Sequence, residues 1–191
     1  MDNHSGYQEP PLDELINGET VMMSPRPPVN HNIVKGNIYA AFANRLEGKD
    51  GLCILGGVDL YLTEKDRFLP DVVAIRNRDI IKRNGIYGAP DLVIEILSSG
   101  TVKNDRMYKK DVYARCGVRE YWLVNPLDKS VEIYLLEGSE LVLHDIYPTY
   151  EDWELAQMTP EERAKIVTHF KCSLFDDLEI PLDDIFGSFQ C

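Results

Sequence analysis

The sequence predicts a mixed α/β fold with one central β-sheet flanked by helices. Three observations carry this. "RFLPDVVAI" and "DLVIEILS" are short apolar segments of strand length. A helical pattern, "NHNIVKGNIYAAFANRLEG", precedes them, and another, "NDRMYKKDVYARCG", separates them from the strand-like "REYWLVNP". Strands with a helix before and a helix between suit layers packed on one sheet. The 191 residues suit a single domain spanning 1–191 with a sizeable core.

The elements follow in order. "LDELINGETVMMSPRPP" reads as a short helix, a turn at Asn17-Gly18, then a strand ending in a Pro-rich loop. In the next helix Val34, Ile38, Phe42 and Leu46 form an apolar stripe, Asn30 or Asn32 could cap it, and Gly48 closes it. "LCILGGVDLYLT" and "RFLPDVVAI" alternate like strands around the polar tetrapeptide Glu64–Arg67, a hairpin pattern. "RDIIKRNGIYGAP" reads as a connection. The helix "NDRMYKKDVYARCG" ends at Gly117, and "REYWLVNP" and "SVEIYLLEG" are strands split by a turn at 126–129. "ELVLHDIY" follows as another strand. "TPEERAKIVTHF" reads as a helix with a capping box between Thr159 and Glu162, and "IPLDDIF" as a terminal helix or turn. Residues 148–169 are expected to be a lineage-specific helical insertion.

Composition narrows the class. At 44% hydrophobic and 27% charged, the chain is ordinary for a soluble globular protein. No apolar run reaches about 18 residues, so no membrane span is expected. The start, "MDNHSGYQEPPLDEL", has no basic region followed by an apolar block, so no secretory signal is expected. Cys53, Cys116, Cys172 and Cys191 are scattered, with no C-x-x-C pair. They read as reduced thiols in a cytoplasmic protein, not as a zinc site.

The formal net charge of −12, taken alone, argues against nucleic acid. Its distribution does not. Residues 145–191 hold 11 acids and 3 bases, whereas 101–120 hold 6 bases and 3 acids and 76–83 hold 4 bases and 1 acid. Bases therefore flank the two strands that carry acids. For any one run, a solvated surface is the simpler explanation.

Strand interiors disfavour Asp and Glu, yet Glu95 sits inside the apolar "VIEIL". Burying it unpaired is costly. Asp91, four residues earlier on the same strand, lies roughly 13 Å away and cannot share a metal with it. Asp71, after Pro70 in the preceding hairpin, can approach Glu95 if the two strands are neighbours. Two carboxylates from adjacent strands suit Mg²⁺ or Mn²⁺, hard cations that often take only one or two protein carboxylates plus water and phosphate. Otherwise Asp71 only starts a strand. Phosphodiester chemistry also wants a cation nearby. Lys109, Val112, Tyr113 and Cys116 fall on one helical stripe, which turns Lys109 inward. Snorkelling to the surface is the competing reading.

Together "LINGETVMMSPRPPVNHNIVKGNIYAAF", "LPDVVAI", "PDLVIEILS", "DRMYKKDVYARCGVREYWLVNP" and "LFDDLEIPLDDIF" resemble the Uma-type endonuclease family, within the restriction-endonuclease-like PD-(D/E)XK superfamily. The likeness covers nearly the whole chain. It implies a restriction-endonuclease-like fold, a divalent metal and hydrolysis of nucleic-acid phosphodiesters. It maps the motif acids onto Asp71 and Glu95, the catalytic lysine onto Lys109, and an acid and a histidine beside the site onto Glu19 and His31. Leu97 stands where the superfamily's strict motif has lysine, so Lys109 would be a migrated one. On this reading Asp71, Glu95 and the main-chain carbonyl of Ile96 hold Mg²⁺, and Lys109 orients water or offsets developing charge. The partner is nucleic acid, DNA by expectation, and the protein a homodimer, since two-fold dimers dominate. Two rivals stay open: an inactive nuclease-fold module binding nucleic acid or protein, and a metal-free carboxylate-pair hydrolase such as a glycosidase.

Overall fold

The computed structural model describes residues 12–23, 27–46, 53–175 and 178–187. Strands β1 (Asp13–Ile16) and β2 (Glu19–Met22) pair antiparallel around Asn17-Gly18, both at positive φ. The expected short helix at 12–16 is therefore a strand. So short a segment does not repay helix nucleation, and β1 finds partners on both sides. Helix α1 (Val29–Leu46) follows, with Val34, Ile38 and Phe42 buried as the stripe required. Gly48 and Cys191 lie outside the described residues.

The expected hairpin forms, but it divides between two sheets. Its strands are β3 (Cys53–Leu55), β4 (Leu60–Thr63), β5 (Asp66–Phe68) and β6 (Val72–Ile75). The inner pair β4–β5 belongs to one sheet and the outer pair β3–β6 to another. Chain irregularities at Gly56-Gly57 and Leu69-Pro70 allow the switch, and Gly57 N–H donates to the Pro70 carbonyl at 3.2 Å. A 3₁₀ turn at Arg78–Ile80 and a small hairpin, β7 (Ile81–Lys82) with β8 (Gly85–Tyr87), fill the next connection. Then comes β9 (Leu92–Ile96).

The predicted helix runs from α2 (Val102–Asn104) through a π-helical turn at Asp105–Lys109 into α3 (Lys110–Cys116). Gly117, at φ 94°, ends it in a left-handed cap. Strands β10 (Glu120–Asn125), β11 (Ser130–Glu137) and β12 (Glu140–Pro148) form a meander. Helices α4 (Asp152–Gln157) and α5 (Pro160–Arg163) are short and have no buried residue. The Thr159–Glu162 capping box is present, but the helix stops after about one turn. The chain extends into β13 (His169–Lys171), paired with β14 (Glu179–Pro181), and closes with α6 (Leu182–Phe186). Phe170 explains the stop: it is buried against Trp122, and an extended backbone delivers it there.

The main sheet has the order β12-β11-β10-β9-β6-β3, mixed because β9–β10 is parallel and its neighbours antiparallel. One face packs on α1, α6 and the β13–β14 hairpin through Val34, Phe42, Ile94, Trp122 and Ile185. The other packs on the 102–116 helix and on the second sheet, β2-β1-β5-β4-β8-β7, through Phe68, Val93, Tyr113 and Tyr121. The mixed sheet flanked by helices is the architecture expected from the sequence, joined here by a second six-stranded sheet.

Candidate active site

Strands β6 and β9 are antiparallel neighbours with Val72 opposite Ile94 and Val73 opposite Val93. The ladder ends at Val72 and Ile94, so Asp71 and Glu95 are each one residue beyond its last pair. Glu95 shares its side of the sheet with Val93, so its carboxylate enters the second core and is 4% exposed. Asp71 lies just before β6. Its Oδ2 accepts the Ile96 N–H at 2.9 Å, which fastens the end of one strand to the other.

Lys109 is turned inward, as its stripe required, and is 2% exposed. Its ammonium lies 2.9 Å from Glu14, 3.1 Å from Asp105 and 3.3 Å from Glu95. The Tyr113 hydroxyl donates to Glu95 Oε1 at 2.7 Å, and Leu69 N–H donates to Glu14 Oε1 at 2.9 Å. Three buried carboxylates thus surround one ammonium. They cannot all be ionised cheaply. Burial pushes Glu95 up, and Asp105, Asp71 and Glu14 add to this against the pull of Lys109, so Glu95 rises to about 8. Burial likewise raises Asp105. Burial alone would lower Lys109, but Glu95, Asp105 and Glu14 outweigh it and hold the ammonium above its ordinary value.

Asp71 is balanced differently. Burial would raise it, but the His31 hydrogen bond, the charges of His31 and Lys35, and the Ile96 N–H hold it below the ordinary carboxylate value. His31 Nε2 is 3.1 Å from Oδ2 and Lys35 Nζ 3.4 Å from Oδ1. Both come from α1, four residues apart and so on one helix face.

The donor set fits a divalent metal. Its oxygens are hard, and the hydrogen bonds and ion pairs of Glu95 among the described residues fall on Oε1, leaving Oε2 available. Among the described residues Asp71 Oδ1 has only the long contact to Lys35. The excess of buried acid over ammonium is what a cation would offset. Among the described residues no three His, Cys, Asp or Glu side chains are arranged to close on a metal unaided, and Mg²⁺ does not need three.

The other expected residues separate. His31 is buried at the site, with its Nδ1 unpartnered among the described residues. Glu19 is exposed on β2. The acid delivered by this hairpin is Glu14, opposite Val21 on β1 and facing inward. Treating 12–16 as helix hid it. Alternation along a strand would have pointed to it. Asp105 was legible, four residues before Lys109 on the same helix. The basic stretch 101–120 is less open than its composition suggested: Arg106 pairs with Glu132, Arg119 with Asp91, and Lys110 lies 5.0 Å above the Tyr134 ring. No helix among the described residues is long and apolar enough to cross a membrane.

A chain of known structure, titled "Crystal structure of a putative nuclease belonging to DUF820 from Anabaena variabilis ATCC 29413", superposes with a TM-score of 0.66 at 17% identity, covering 93% of this chain and 90% of that one. That likeness establishes the shared fold. No curated protein matches the sequence. The Uma2 family model, described as "Putative restriction endonuclease", matches residues 8–166, which include β1, α1, Asp71, Glu95 and Lys109. On that match the chain belongs to the Uma2 family.

Proposed function

We propose that the protein is a divalent-metal-dependent endonuclease that hydrolyses nucleic-acid phosphodiester bonds, with DNA as its substrate, and that it works as a homodimer. The observation that carries the reading is that Asp71 accepts the Ile96 N–H, next in sequence to Glu95, whose carboxylate is paired with the buried Lys109 ammonium. Asp71, Glu95 and the Ile96 carbonyl would hold Mg²⁺ or Mn²⁺. Bound there, the ion supplies Lewis-acid polarisation of the phosphate and a water of lowered pKa. The Ile96 N–H and His31 fix the orientation of Asp71. Lys109 keeps Glu95 turned to the site and places positive charge behind the phosphate, where it offsets developing negative charge. Tyr113, one helical turn after Lys109, donates to the same Glu95 Oε1.

The test is cleavage of supercoiled plasmid by purified protein in Mg²⁺ or Mn²⁺ against EDTA, with Asp71→Asn and Glu95→Gln as controls. Metal-dependent cleavage abolished by both substitutions supports the reading. No cleavage with either metal refutes it. A second reading, an inactive nuclease-fold module, draws on Leu97 in the usual lysine position and on the enclosure of Lys109. Metal-dependent binding without cleavage would favour it.

A further inference from the structure

We propose that Lys35, on α1, is the residue that contacts the substrate's phosphodiester group at this site. The inference rests on the nuclease reading above and deepens it.

A phosphate needs a cation it can reach. Lys109 is 2% exposed and committed to three carboxylates. The Lys35 side chain is 27% exposed, and among the described residues its ion-pair partner is Asp71 Oδ1, at a loose 3.4 Å. That contact falls on the oxygen the proposed metal would take. A metal held on that oxygen would displace the Lys35 ammonium from it and leave the ammonium available to a phosphate.

The surroundings are shaped for a backbone. His31, Lys35 and Tyr39 recur every four residues on α1, so one helix face runs along Asp71. Opposite Lys35 stands Gly56-Gly57. A Cβ on Gly56 would lie 2.0 Å from the Asp71 carbonyl oxygen and 2.1 Å from the Tyr39 hydroxyl, so no side chain fits. Gly57 is at φ +64°, and a Cβ there would come within 4.0 Å of the Lys35 ammonium. The Asp71 carbonyl and the Tyr39 hydroxyl close over Gly56, and exposed Gly57 presents bare backbone beside the partly exposed Lys35 ammonium. That combination admits a chain of phosphates.

A Lys35 that served only to neutralise Asp71 would leave the salt dependence of binding unchanged. The test uses the full chain with Ca²⁺ in place of Mg²⁺, so that binding is read without cleavage. A short fluorescein-labelled DNA duplex, and an RNA duplex of the same sequence, are titrated at several salt concentrations. Mn²⁺ affinity is measured in parallel by calorimetry. Phosphate contact requires that Lys35→Ala flatten the slope of log affinity against log salt by about 0.9, the counterion equivalent of one phosphate. Lys35→Arg should keep the slope, and Mn²⁺ should bind Lys35→Ala at least as tightly as wild type. Lys35→Gln, close in size, repeats the test should the alanine variant fold poorly. An unchanged slope in a variant whose wild type binds a duplex overturns the role of Lys35 and leaves the nuclease reading standing. A wild type that binds neither duplex overturns the nuclease reading, and this inference with it.

Discussion

Lys109→Met keeps most of the side-chain volume and removes the charge, which isolates the electrostatic part of the site. In the folded protein it would leave Glu14, Glu95 and Asp105 facing each other without the ammonium now 2.9 to 3.3 Å away. Breaking a buried ion pair from one side costs about 3–5 kcal/mol. Uptake of protons by the orphaned acids moderates this, so the lower end is expected at neutral pH. Against a typical total stability of about 5–15 kcal/mol, the loss is readily measured. Urea unfolding in EDTA, followed by the fluorescence of buried Trp122, gives the first number. The same titration with Mn²⁺ gives the second. Metal at 100 times its dissociation constant adds about 2.7 kcal/mol, and the variant, with more uncompensated acid, should gain at least as much as wild type. Cleavage should nonetheless fall by roughly 10²–10³-fold, the usual effect of losing one preorganised electrostatic group. Lys110→Ala is the comparison. It removes a cation lying over Tyr134, worth about 0.5–1 kcal/mol at an accessible site, and should leave the cleavage rate nearly intact. The reasoning is refuted if Lys109→Met is as stable as wild type without metal, or if the two lysine variants behave alike.

Three further outcomes are expected. Glu14→Gln should lower both stability and cleavage rate, whereas Glu19→Gln, exposed on β2, should change neither; equal effects in the two would contradict the inward placement of Glu14. Glu95 rises from its ordinary 4.5 to about 8 in the fold, so between those values the folded state keeps a proton that the unfolded chain releases. Metal-free stability should therefore decline as pH rises through that window, by at most about 1.4 kcal/mol per pH unit, and a flat urea midpoint in wild type, or an equal decline in Glu95→Gln, would count against it. Light scattering should give a dimer mass, and a monomer mass independent of concentration would dismiss the homodimer.

The sequence by itself determined the local and periodic features. Apolar stripes at helical spacing placed α1 and the helix through Lys109, and two short apolar runs placed β6 and β9. A Glu among four apolar residues marked Glu95 as a group in use, because burial of an unpaired carboxylate is too costly to be incidental. What only the tertiary structure decided was pairing. Whether Asp71 meets Glu95 depends on the register of β6 against β9, which no local pattern encodes. Glu14 stayed hidden because four residues carry too little periodicity to separate strand from helix, and β1 is defined by its pairing with β2 and β5. The hairpin at 53–75 read as one ribbon but serves two sheets, since the break at Gly56-Gly57 shows its purpose only when Asp71 and Tyr39 close in on it. The number of acids around Lys109 follows from the same long-range packing. A helix stripe fixes which way a lysine points, and the rest of the fold fixes what it finds there.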